Sequence, residues 1–158
     1  MHHQMPQTQG GQAPQQRQPS TESGAQMGQR LQDVETPQQR TMVNEITWAI
    51  QTCEWCAHQC IQLGDPHMAE CIRLCEDVSE LGETALTLIP RNSRHTQQLL
   101  QFFQQVLHAC AQECGQHQHA HCQECAQVLP QAAQSIQQYA ESIQQQGSPA
   151  GQQMGGSY

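Results

Sequence analysis

Lysine is absent from this 158-residue chain, and its six basic residues, all arginine, face fourteen acidic ones for a formal charge of −8. Without a basic patch nothing holds a phosphate backbone, so no nucleic-acid partner is expected. Aromatic residues make up only 4% and hydrophobic residues 36%, so any core must be helical and sparing of bulk. No apolar run reaches the roughly 18 residues that a membrane-crossing helix needs, and no membrane span is predicted. Residues 1–32 lack an apolar h-region, a twin-arginine pair and a small-residue cleavage site, so no export is expected and the reducing cytoplasm is the predicted compartment. Signatures of catalysis are missing too. There is no Ser-His-Asp order, Gly-rich phosphate loop or His-Glu-x-x-His, and the chain is not expected to be an enzyme.

What the chain has is cysteine. It carries nine, an odd number that intramolecular disulfides alone cannot use up. In a reducing compartment, clustered thiols serve metal or redox chemistry more often than covalent stapling.

Composition divides the chain into a Gln-rich N-terminal tail over 1–35, with room for a short helix near 29–35, a body over 36–146, and a second tail over 147–158. Both tails are rich in Gln, Gly, Pro and Ser and are predicted to be disordered. Within the body, Thr36-Pro37 and Asp65-Pro66 each set a capping oxygen before a proline suited to a first helical turn. Pro90 with Asn92-Ser93 separates two further segments, and Gly115 precedes a His-rich link. Helices are predicted over 37–63, 66–89, 93–115 and 119–146. Short connections make this an all-α, up-down-up-down antiparallel four-helix bundle.

Apolar and cysteine residues recur at three- and four-residue steps on each helix. The expected inward stripes are Met42, Ile46, Ile50, Cys53, Cys56, Cys60 and Leu63; Cys71, Cys75, Val78, Gly82 and Ala85; Leu99, Phe103, Val106, Cys110 and Cys114; and Cys122, Cys125, Leu129, Ala133, Ile136, Ala140 and Ile143. In an up-down-up-down bundle all nine cysteines then converge on one end. The other end receives Ile46, Leu86, Leu99, Phe103, Ile136 and Ile143 as an ordinary core.

Thiols four residues apart on a helix have Cβ atoms about 5–6 Å apart, so Cys56/Cys60, Cys71/Cys75 and Cys110/Cys114 can each clamp one ion. Soft sulfur favours Cu(I), which tolerates two or three ligands, so several Cu(I) ions per chain are expected. Zinc is disfavoured, because it demands a closed tetrahedron and the spacing here is helical rather than that of paired knuckles. An Fe–S cluster, or a thiol redox switch using Cys53/Cys56 or Cys122/Cys125, remains an alternative. Among the histidines, His67 lies four residues before Cys71 and is the first non-cysteine candidate. His119 and His121, with His117, flank Cys122 at the mouth of the bundle. Met68 is a candidate thioether ligand, while His58 and His108 are expected at the surface.

The runs Cys53-Glu-Trp-Cys-Ala-His-Gln-Cys60, Met68-Ala-Glu-Cys-Ile-Arg-Leu-Cys75, His108-Ala-Cys-Ala-Gln-Glu-Cys114 and His121-Cys-Gln-Glu-Cys-Ala126, in that order, resemble the four-helix-bundle copper-storage (Csp) family of bacteria. The resemblance spans about 36–146. It implies Cu(I) held by inward thiolates, His or Met at an open mouth, and frequently a tetramer. Family members usually carry thiols along most of the bundle, whereas Val78, Phe103, Val106, Leu129 and Ala133 stand at inward positions here, so a lower capacity is expected.

Two tryptophans, Trp48 and Trp55, lie on the back of the first long helix and need cover. Either the segment near Leu31 and Val34 or a second subunit would supply it, and a homo-oligomer is the expected answer. A protein that donates or accepts copper is the other partner foreseen. Pro130 is expected to kink the last helix just past its final cysteine.

Overall fold

In a computed structural model that describes residues 28–147, a short helix α1 (Leu31–Val34) leads into α2 (Pro37–Leu63). Most of both predicted tails lies outside the described residues. Helix α2 begins where its chemistry indicates: the Thr36 hydroxyl accepts the Gln39 N–H at 3.1 Å, and Pro37 occupies the first turn. It stops at Gly64, whose φ of 64° is left-handed and costs a residue without Cβ little. The Asp65 carboxylate then accepts the His67 N–H at 2.9 Å. That contact starts a single 3₁₀ turn, Pro66–Met68, from which α3 (Ala69–Leu88) continues.

At the corner beyond α3, Asn92 takes a left-handed φ of 48°, and Thr96 donates its hydroxyl back to the Leu88 carbonyl at 3.3 Å. Helix α4 (Thr96–Cys114) therefore starts three residues later than the sequence suggested, with Ser93 accepting the His95 N–H ahead of it. Gly115 closes α4 with ordinary right-handed angles, so its role there does not depend on positive φ. Helix α5 (Ala120–Gly147) runs unbroken through Pro130, whose ring sits on the exposed face.

Helix α2 packs against α3 and α5, and α4 packs against the same two, which closes a ring of four antiparallel helices. Through each helix runs a buried seam at alternating three- and four-residue steps, flanked by further buried residues such as Ala57, Val128 and Ala133. It reads Met42, Ile46, Ala49, Cys53, Cys56 and Cys60 in α2, and Met68, Cys71, Cys75, Val78, Gly82, Ala85 and Ile89 through α3. In α4 it reads Thr96, Leu100, Phe103, Leu107, Cys110 and Cys114, and in α5 Cys122, Cys125, Leu129, Ala132 and Ile136. This is the seam of a left-handed supercoil, in which the repeat averages about 3.5 residues per turn.

That alternation corrects part of the expected core. Leu100 and Leu107 point inward where Leu99 and Val106 were expected, and the latter two are only half-buried. Ile50, Leu86 and Ala140 are likewise half-buried, while Leu63 and Ile143 are exposed. Leu99, Val106, Ile50, Leu86 and Ala140 break the three-four rhythm of their helices, whereas Leu63 and Ile143 keep it but stand in the last turns of α2 and α5.

The same register sets the large Phe103 side chain against Gly82. A Cβ on Gly82 would lie 2.8 Å from Ile50 Cγ1 and 3.3 Å from Phe103 Cζ, so only glycine lets α3 approach this closely. Phe103 thus fills the cross-section of the bundle between the thiols and the aliphatic half. Phe103→Ala should cost about 3–5 kcal/mol in unfolding free energy, whereas Phe102→Ala, at an exposed neighbour, should stay within about 0.5 kcal/mol. Thermal and denaturant unfolding of the metal-free protein would check the contrast.

Candidate metal centre

All nine cysteines are buried, and none is in a disulfide. They fill the inner ends of the four stripes: the last turns of α2 and α4 and the first turns of α3 and α5. The antiparallel ring brings these turns to one end. Sulfur meets sulfur there mainly across helices, with one contact along α4, Cys110 to Cys114 at 3.9 Å. Cys71 Sγ lies 3.5 Å from Cys114 Sγ, and Cys75 Sγ lies 3.7 Å from Cys110 Sγ. At the mouth, Cys56, Cys60, Cys71 and Cys122 approach one another at 3.8–3.9 Å in five of their six pairings.

Three groups have all their sulfurs within 4.8 Å of one another: Cys56, Cys60, Cys71 and Cys122 at the mouth; Cys56, Cys75, Cys114 and Cys125 below it; and Cys53, Cys75 and Cys110 innermost. Cys56 belongs to the first two and Cys75 to the last two. The groups therefore form a chain joined by shared sulfurs, not separate pockets. One seam step beyond Cys75, Cys110 and Cys125 stand Val78, Leu107 and Leu129, and the thiol lining stops.

Buried thiols with no lysine anywhere in the chain must settle their charge among themselves. Neighbouring S–H donors favour the thiolate at some sulfurs: the Cys114 thiol beside Cys71 brings it down to about 7. Further charge at the mouth is opposed. Burial, then the charge of Cys56 and Cys71, pushes Cys60 up to about 12, and Cys122 is raised by the same causes in the same order. A full set of thiolates needs a cation to supply the countercharge, and binding one releases protons. An all-sulfur lining suits a soft ion.

The histidines divide by position. His121 Nε2 stands 3.5 Å from Cys60 Sγ at the rim of the mouth group, and the His119 ring stacks on His121 with centroids 5.4 Å apart. His117 bonds Glu113 at 3.0 Å instead. His67 differs from its expected placement: its side chain is 90% exposed and its Nδ1 lies 2.9 Å from the Asp65 carboxylate. The 3₁₀ turn is the reason, because it rotates His67 outward and sets Met68 into the inward position three residues before Cys71. Cys71 to Cys75 is a four-residue step, so strict alternation calls for three before it, which selects Met68. His58 and His108 are exposed.

The aromatic back face stays open among the described residues. Trp48 and Trp55 are 49% and 53% exposed, and Leu31 and Val34 are themselves about half exposed, so α1 does not cover them. No helix among the described residues is long and apolar enough to cross a membrane.

Comparison with known proteins points the same way as the sulfurs. The sequence profile of the copper storage protein family matches residues 35–141. A cysteine-rich protein of Bacillus subtilis described as uncharacterized, YhjQ, is 28% identical over 80 residues, covering 50% of this chain and 74% of that one. In structure, metal-free copper storage protein 3 of Bacillus subtilis superposes with a TM-score of 0.59 at 24% identity over 64% of this chain and 97% of its own, a likeness of fold. The copper storage protein Ccsp of Streptomyces lividans, loaded with 10 copper equivalents, gives 0.61 at 26% identity over 70% and 89%.

If the nine thiols are free and enclosed, an anaerobic preparation should titrate nine per chain with a thiol reagent in denaturant, with no reductant added. In the native fold the same reagent should react far more slowly. A deficit in denaturant would reveal disulfides and contradict the free-thiol core.

Proposed function

This chain belongs to the copper storage protein family, and we propose that it loads Cu(I) from the mouth inward along three sulfur groups joined by Cys56 and Cys75. It binds several Cu(I) ions through inward-facing cysteine thiolates at one end of a four-helix bundle, and the copper is cargo. The single observation that carries the loading scheme is the sharing of sulfurs between adjacent groups. An ion on one group can pass to the next by exchanging ligands around a thiolate it already holds. Cys53, Cys56, Cys60, Cys71, Cys75, Cys110, Cys114, Cys122 and Cys125 are the ligands in this reading. His121, backed by His119, is placed to meet an incoming ion or take a proton from Cys60. His67 has no contact with the sulfurs and serves at most outside the mouth.

Capacity is set just beyond Cys53, Cys75, Cys110 and Cys125, where Val78, Leu107 and Leu129 replace sulfur with hydrocarbon. The half-exposed Trp48 and Trp55 support a homo-oligomer, for which the family resemblance suggests a tetramer. The cysteine usage, which suits a reducing compartment, supports a cytoplasmic carrier, rather than an enzyme, that exchanges copper with a donor or acceptor protein.

Anaerobic titration against a competing Cu(I) chelator should show several equivalents retained per chain with helicity unchanged. Failure to outcompete a modest chelator for even one ion, or reversible disulfides in place of metal retention, would overturn the reading. Leu107→Cys combined with Leu129→Cys should raise the number of ions held, since both buried side chains are the next seam positions beyond Cys110 and Cys125. For the assembly, Trp48→Glu with Trp55→Glu should lower the mass measured by light scattering; a wild-type chain that is already monomeric would sink the oligomer.

A further inference from the structure

Zinc was disfavoured from the sequence because it requires a closed tetrahedron of ligands, and the structure contains one. The mouth sulfurs come from three helices: Cys56 and Cys60 from α2, Cys71 from α3 and Cys122 from α5. Four residues at one level of a helical ring would form a flat quadrilateral, whose diagonals are much longer than its edges. Here α3 and α5 face each other across the bundle, yet Cys71 Sγ and Cys122 Sγ are 3.9 Å apart, as close as the pairs between adjacent helices. Cys56 and Cys60, one turn apart on α2, each approach both of the others at 3.8–3.9 Å, and the remaining pair lies within 4.8 Å. The figure is a tetrahedron. With edges of 3.8–3.9 Å its centre lies about 2.4 Å from each corner, close to the Zn–S bond length of about 2.3 Å.

We propose that Cys56, Cys60, Cys71 and Cys122 form a tetrathiolate site for one divalent tetrahedral ion of the zinc class, which occupies the mouth when Cu(I) is scarce and leaves when Cu(I) arrives. Four thiols binding one M²⁺ give a complex of charge −2 and release four protons, and no oxidant or reductant is involved. His121 beside Cys60 is placed to accept one of those protons. An occupied mouth places its ion between solvent and the inner sulfurs, so the first Cu(I) to bind must take these ligands from the divalent ion. The proposal shares sulfurs with the copper reading but concerns a different metal.

The full-length, metal-free, reduced chain is titrated anaerobically with Co(II), whose tetrahedral tetrathiolate complex has intense visible bands and sulfur-to-metal charge transfer. One equivalent per chain should develop that spectrum, and Zn(II) should bleach it stoichiometrically. Cys60→Ser and Cys122→Ser should each abolish it or weaken Zn(II) affinity by more than about tenfold. Cys53→Ser, outside the tetrad, should keep the spectrum while losing copper capacity, and circular dichroism confirms that each variant is folded. Added Cu(I) should release the Zn(II) to an indicator. Wild-type protein with no tetrahedral spectrum overturns the site, and so does a spectrum that survives Cys60→Ser and Cys122→Ser but is lost in Cys114→Ser. A parallel Cu(I) titration separates the two ideas: normal copper retention without the Co(II) bands discards the divalent site alone.

Discussion

Every property of this bundle depends on the strict alternation of three- and four-residue steps along its four helices. The alternation leaves each helix one narrow seam, and the antiparallel ring turns the four seams into a column one side chain deep on each side. Whatever stands on the seam has no access to solvent and must find its partners across the axis. Carbon in those positions gives an ordinary core. Sulfur in the same positions gives a lining whose atoms are in contact with one another and with little else. The chemistry of the column is thus written by side-chain choice alone, without any change in backbone.

Burial has a second effect on the sulfurs. A thiolate inside hydrocarbon is costly, and several side by side repel one another. In a chain without lysine the thiols share protons and hydrogen bonds until a cation arrives. The sulfur column is then an electrostatic deficit that a soft monovalent ion corrects with each binding event. Stability and cargo are coupled for this reason, since an ion that binds only the folded column favours the folded state by mass action.

Much of this was legible in the sequence, and the exceptions have physical causes. Thr36-Pro37 and Asp65-Pro66 announce where α2 and the turn into α3 begin, and the placement of all nine cysteines follows from spacing and topology. Helix α4 was harder. It carries the apolar doublets Leu99-Leu100, Phe102-Phe103 and Val106-Leu107, so a rotation by one residue leaves the pattern nearly as good, and only packing against Gly82 selects Phe103 with Leu100 and Leu107. His67 and Met68 were exchanged because a 3₁₀ turn advances faster around the axis than an α-helix. A four-residue step before Cys71 points to His67, whereas the three-four rhythm points to Met68. The tetrahedral closure at the mouth could not be read in advance, because it depends on a diagonal distance between α3 and α5 that no spacing along the chain encodes.

The Phe103 level, set into the bundle by Gly82, has a consequence for order in time. If copper loads from the mouth as proposed, a column closed at one end has a single door, so the ion deepest in it, beside Cys53, is the first to arrive and the last able to leave. Copper held this way forms a stack rather than a pool, and a recipient protein draws first on the most recent deposit. The oldest ions stay behind until the mouth has been emptied.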